Sequence, residues 1–254
     1  MQEWFDHFPR NRAARPVIDF GSGIDVPEPL RTALIRSLQR FEVGESGDGA
    51  HLKRGAARVS PLYLETITLF ISEENDHAGW LARLIEGMGG KRLTWHWSDA
   101  LFVALRRLCG LHVELFVLLV AEMIAIRYYR ALNEGSTDPI CRAVFGQICR
   151  DEDGHVAFHI AFLRQEFARR SAFVRWLVRA SWRVLYRGAC LVVNLDHRPV
   201  LRECGVSMGE FWLDTGEIFD SIAGAIFATP YVVSPSSHQP LVAARESNPE
   251  KATS

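Results

Sequence analysis

The feature that most constrains this chain is an acid–imidazole pair set into an otherwise apolar helical stripe. In Arg150-Asp151-Glu152-Asp153-Gly154-His155-Val156-Ala157-Phe158-His159, Glu152 and His155 stand three residues apart. On a helix both side chains therefore project from one face. Cys141, Val144 and Ile148 lead into that face, and Phe162 and Leu163 lead out of it. A carboxylate and an imidazole on an inward stripe are costly to bury unpaired. A metal ion is one partner that offsets the cost. The same signature occurs in Ile71-Ser72-Glu73-Glu74-Asn75-Asp76-His77, which supplies Glu74 and His77.

Two further acids fall at matching distances. Glu45 precedes Glu74 by 29 residues, and Glu122 precedes Glu152 by 30. Near each midpoint sits a helix start: Ser60-Pro61 in one half, Thr137-Asp138-Pro139 in the other. Ser, Thr or Asp as N-cap with Pro at the first helical position is the expected opening of a helix. Each half therefore reads as two antiparallel helices, the first bringing one Glu to the level at which the second brings Glu-x-x-His. Packing the two hairpins together converges four Glu and two His. Four carboxylates balance two divalent cations with both histidines neutral, the donor set of di-metal helical bundles.

The expected fold class is all-α, a four-helix bundle with additional C-terminal helices. At 48% hydrophobic residues the 254-residue chain has ample material for a core, and a net charge of −1 implies no pull on nucleic acid. Five cysteines, none in a Cys-x-x-Cys pair, fit a reducing compartment. Met1-Gln2-Glu3-Trp4-Phe5 opens with charge where a signal peptide needs an apolar run, and Leu111 to Ile126 is short for a bilayer and interrupted by His112, Glu114 and Glu122. A cytoplasmic location is expected.

Residues 1–26 show no period and read as an N-terminal arm. Residues 27–169 form the bundle. Its first helix carries Leu30, Leu34, Leu38, Phe41, Glu45, Gly49, Leu52 and Ala56 inward. Gly44, Gly47 and Gly49 crowd around Glu45; each costs about 1 kcal/mol in a helix interior, which suggests substrate space, close packing or a bulge, or a helix that ends near Gly44. The second helix runs from Pro61 to about Met88, a short helix is expected from Ser98-Asp99 to Leu108, the third bundle helix ends near Asn133, and the fourth runs from Pro139 to about Arg169. Residues 170–229 form a C-terminal extension of two helices, 171–195 and 207–228. Arg175, Arg179, Arg183 and Arg187 make a ladder on the first of these, read as a solvated face with an anionic partner or membrane surface as the alternative. Residues 230–254 read as a disordered tail.

The candidate metal ligands are Glu45, Glu74, His77, Glu122, Glu152 and His155. Glu42 and Asp48 compete with Glu45 for the first-helix role. His159, one turn beyond His155, reads as a hydrogen-bonded core histidine or an outer-layer group, and Asp151 and Tyr129 are further groups that could orient ligands. Tyr63 and Tyr128, like Tyr129, are candidates to orient ligands or quench stray radicals, although tyrosines on a helix are more often packing; Glu114 is read as exposed.

On these motifs the chain resembles the ferritin-like di-iron carboxylate superfamily over roughly residues 30–165. Phe41-Glu42-Val43-Gly44-Glu45-Ser46 is similar to the first-helix ligand segment of rubrerythrins, which favours Glu45. The motifs of the third and fourth helices resemble those of aldehyde-deformylating oxygenases. Without Cys-x-x-Cys pairs the rubredoxin iron site of classical rubrerythrins is missing. The third histidine of arylamine N-oxygenases would fall at Ile148. The resemblance implies a ferritin-like bundle holding two Fe ions, with Mn or a mixed Mn/Fe pair as the alternative. It implies an oxidase or oxygenase that takes O2 or peroxide, a small organic substrate and an external electron donor. The alternatives are a rubrerythrin-like peroxide reductase and a ferroxidase or iron-storage protein. No nucleic-acid or membrane-surface partner is expected, and a monomer or small homo-oligomer is.

Overall fold

The computed structural model describes residues 1–97, 100, 102–104 and 110–228. Among the described residues the chain is all-helical: α1 (Gln2–Ala14), α2 (Leu30–Glu45), α3 (Ala50–Ala57), α4 (Pro61–Gly87), α5 (Leu111–Gly135), α6 (Pro139–Phe167), α7 (Ala172–Asp196), α8 (Arg198–Glu203) and α9 (Met208–Phe227). The two longest helices start as their caps require. Ser60 accepts from the Tyr63 amide at the head of α4, and Asp138 accepts from the Cys141 amide at the head of α6, each followed by Pro. Such a cap contributes about 1 kcal/mol.

The apolar run from Leu111 explains the architecture. Leu115, Phe116, Val117, Leu118, Leu119 and Val120 are all buried, so α5 is covered on nearly every side. It packs along α6 and is flanked by α3, α7, α8 and α9. Opposite it, α4 packs against α2, α3 and α6. The side chains of α2, α4, α5 and α6 that point into the common space carry the candidate ligands.

Three expectations are corrected. Residues 2–14 of the expected arm are helix α1, which lies along α4. Trp4 and Phe8, one turn apart, form its inward face, with the Phe8 ring edge-on to Phe158 at 5.6 Å. Pro9 hides this period in the sequence, since proline removes a helical donor. Next, the expected first bundle helix is two helices, α2 and α3, separated just after Glu45. Gly49 there has φ 59° and begins α3; a Cβ on it would collide with the Ile71 side chain of α4. Both the left-handed backbone and the close approach demand glycine. Finally, His197-Arg198-Pro199, expected as a separator, opens the short helix α8, with Pro199 in the first turn.

The C-terminal helices are part of the same core. Trp182 donates to the Phe116 carbonyl at 2.8 Å, and the Tyr186 hydroxyl donates to Thr215 at 2.9 Å. The arginine ladder is not simply solvated: Arg179 and Arg183 both reach Asp220 of α9, at 3.4 and 2.5 Å, and Arg187 lies 4.9 Å over the Trp212 ring. No helix among the described residues is long and apolar enough to cross a membrane. The short helix expected from Ser98 to Leu108 lies largely outside the described residues, and so does the tail from 230.

Candidate metal centre

Four helices bring acids and imidazoles to one level. Glu45 is the last residue of α2; Glu74 and His77 come from α4, Glu122 from α5, and Glu152 and His155 from α6. Glu45, Glu74, His77 and Glu152 each offer a donor atom within 4.8 Å of the others. The second imidazole closes on the same carboxylates. His155 Nδ1 lies 2.9 Å from Glu74 Oε1 and 3.4 Å from Glu152 Oε2. His77 Nδ1 is 3.5 Å from Glu152 Oε1 and 3.9 Å from Glu74 Oε1. Glu74 and Glu152 therefore stand between the two histidines. Glu122 lies beside them, its Oε1 3.1 Å from His159 Nε2.

Both histidines present Nδ1 to the centre and give Nε2 to an acid behind them, and the acids are exchanged between the helices. His77 Nε2 is 3.1 Å from Asp151 of α6, and His155 Nε2 is 3.1 Å from Glu73 of α4. A neutral imidazole held through Nε2–H has its lone pair on Nδ1, directed inward. Behind these acids lies a further polar layer from the end of α1. Arg15 Nη2 is 2.8 Å from Glu73 and 2.9 Å from Asp151, and its Nη1 is 2.8 Å from Asp76. Asn11 donates to Glu73 at 3.0 Å and to Asp151 at 2.8 Å, and Gln147 also donates to Asp151 at 2.8 Å.

The electrostatics are those of acids and imidazoles crowded together in a buried space. Burial, and then repulsion from Glu74 and Glu152, raises the Glu45 pKa well above its ordinary value. Glu45 and Glu74 keep some exposure as residues, but the Glu45 carboxyl is packed among acids and the Tyr129 hydroxyl, which donates to it at 3.1 Å. Burial also raises the pKa of Glu122. Burial opposes ionisation of Glu152 as well, yet the adjacent His155 and His77 imidazoles win and hold it at about 2. In turn burial disfavours imidazolium at His77, but Asp151 and Glu152 outweigh it and raise its pKa to about 10. Without cations the cluster thus keeps protons in their place.

The fit of the residues to metal ions can be tested on their unmet hydrogen-bonding capacity. Among the described residues, most of the buried side-chain atoms that lack a hydrogen-bond partner belong to this cluster: Glu74 Oε1, His77 Nδ1, both Glu122 oxygens, Glu152 Oε2, His155 Nδ1 and both His159 nitrogens. Several are near one another but out of line for hydrogen bonds. Buried polar atoms are nearly always satisfied, and each unsatisfied one costs about 1–3 kcal/mol. Unmet donor atoms converging from three helices, α4, α5 and α6, fit cation binding.

Comparison with protein families, curated proteins and solved structures finds no match. The centre is therefore read from its own residues.

All six expected ligands come to one level, four of them within mutual reach of one ion. Glu42 turns away and pairs with Arg92; Glu45 takes the inward position. Asp151 contacts His77 Nε2 and Tyr129 contacts Glu45 from outside the cluster. His159 is fully buried with Nε2 3.1 Å from Glu122 Oε1 and, among the described residues, no hydrogen-bond partner in good alignment. Glu114 is corrected from exposed to buried, its carboxylate 2.8 Å from His51 Nδ1. Glu73, Asn11, Arg15 and Gln147 escaped the sequence reading. One signal for Glu73 was available, because an acid directly precedes the ligand glutamate in both Glu73-Glu74 and Asp151-Glu152. Asn11 and Arg15 carried none, because their role depends on α1 docking on α4.

Proposed function

We propose that the protein is a ferritin-like non-haem di-iron oxidase or oxygenase, acting on a small organic substrate with O2 or peroxide. The observation that carries this reading is the ring of unsatisfied carboxylate and Nδ1 atoms, backed by acids that fix both imidazoles. Glu45, Glu74, His77 and Glu152 would hold one ion, and Glu74, Glu152, Glu122 and His155 the other. Four carboxylates neutralise two divalent cations. So oxygen-rich a set suits iron or manganese better than zinc, whose sites are smaller and richer in nitrogen or sulfur. When bound, such a metal pair supplies redox chemistry toward O2 or peroxide.

The chain's own contribution is positioning and proton control. Asp151 and Glu73 hold His77 and His155 in the tautomer that presents Nδ1. Arg15 neutralises these outer acids, so their charge is not left unpaired. Tyr129 fixes the Glu45 carboxylate with a proton it can donate at Oε1. The apolar walls from α5 and α6 keep bulk water from the inner face. Gly44 and Gly47 have open space beside their α-carbons at the surface next to Glu45, which supports approach from that side.

Anaerobic loading with Fe(II) followed by exposure to O2 tests the function. The reading expects rapid oxidation that stops after about two Fe(II) per chain and leaves no mineral. Oxidation no faster than that of free Fe(II) would overturn it. A strong preference for peroxide over O2 would favour the peroxide reductase, and continued iron deposition in a closed shell would favour storage.

A further inference from the structure

We infer that His159 is a seventh metal ligand, joining Glu122 and His155 on one ion and making the two metal positions unequal; this rests on the di-metal reading above. Three observations carry it. His159 lies on the same face of α6 as Glu152 and His155, at i+7 and i+4 from them, and is fully buried. Among the described residues, neither ring nitrogen has a hydrogen-bond partner, and neither oxygen of its neighbour Glu122 has one. Yet His159 Nε2 and Glu122 Oε1 stand 3.1 Å apart. A simple hydrogen bond would satisfy both atoms, but the ring is out of line for it. Two donors on one cation, at bonds of about 2.1 Å and a right angle, lie about 3.0 Å apart without pointing at each other.

Packing keeps the ring in this pose. Phe70 meets it edge-on at 4.9 Å between centroids, and Phe158 lies against it at the same separation. Among the described residues its Nδ1 has no acid as partner, unlike the Nε2 atoms of His77 and His155. The third imidazole therefore lacks the carboxylate partner that orients the other two. It adds no charge, so four carboxylates still balance two divalent ions. The Glu122 side then has Glu74, Glu152, Glu122, His155 and His159, while the other ion has Glu45, Glu74, Glu152 and His77. Open coordination belongs on the Glu45 side, beside the α2–α3 break and its glycines.

Proton NMR of the full chain loaded anaerobically with Fe(II) tests this without recourse to activity. Each coordinated imidazole leaves one N–H whose resonance is shifted by the paramagnetic ion. Three shifted, solvent-exchangeable N–H signals are expected in the wild type and two in His159→Gln. Affinity for one of the two ions should also weaken at least tenfold in the variant. A wild type with two ions bound but only two such signals overturns the inference and leaves the di-metal centre standing. So does a folded His159→Gln with unchanged signals and affinity. Failure of the wild type to bind metal overturns both. The wild-type signal count decides the matter even if the variant does not fold.

Discussion

Replacing Asp151 by Asn probes the exchange of acids between the two Glu-x-x-His motifs. Asp151 accepts from Asn11 and Gln147 at 2.8 Å, lies 2.9 Å from Arg15, and faces His77 Nε2 at 3.1 Å. Burial opposes its charge, but these partners, His77 first, hold its pKa at about 2. Asparagine keeps the shape and removes the charge that fixes the His77 tautomer. Outer groups of this kind change metal affinity by about 10–100-fold, or roughly 1.4–2.7 kcal/mol. Because the acids are exchanged, Asp151→Asn on α6 should weaken the ion held by His77 of α4. Glu73→Gln on α4 should weaken the ion held by His155 of α6, and the double variant both. Titration against a competing chelator measures this. Binding of both ions with wild-type affinity by Asp151→Asn would refute the argument that Asp151 acts through His77.

Three further outcomes follow from the same geometry. Arg15→Leu leaves Glu73 and Asp151 without their cation; breaking a buried pair costs about 3–5 kcal/mol, so thermal unfolding should occur well below wild type, and an unchanged melt would show that α1 does not anchor the centre. Metal-free protein should melt higher near pH 5 than at pH 8. The His77 contribution is complete below about 6.5 and is lost toward 10, Glu152 and Asp151 contribute above about 4.5 and lose their contribution as pH falls toward 2, and the raised pKa of Glu45 makes folding costlier above 4.5. Metal displaces these protons, so the loaded protein should show the reverse order; a metal-free optimum at pH 8 would contradict the protonated cluster. Glu45→Ala should lower metal content while Glu42→Ala does not, as measured by elemental analysis, because Glu42 pairs with Arg92; the opposite result would move the ligand one turn along α2.

The long helices were legible because their information is local. Caps at Ser60 and Asp138, and apolar residues recurring every three or four positions, define α4 and α6 without reference to the rest of the chain. The level of the clustered acids was legible for a related reason, since spacings of 29 and 30 residues across a reversal fix which acids meet. Glu45 at the end of α2 was harder to interpret: the break after it depends on Gly49 meeting Ile71 of α4, a contact between elements. Arg15 and Asn11 were invisible for the same reason, and the pairing of Glu114 with His51 joins α5 to α3. The orphaned nitrogens of His159 could be seen only once every neighbour of the ring was known.

The central claim is that the converging acids and imidazoles hold two metal ions. Metal content per chain of protein produced with abundant iron tests it most directly, with Glu152→Ala measured alongside. The account predicts about two equivalents of iron or manganese in the wild type and marked loss in the variant, because Glu152 faces both histidines. Wild-type protein without metal, or a Glu152→Ala variant with full content, would contradict it.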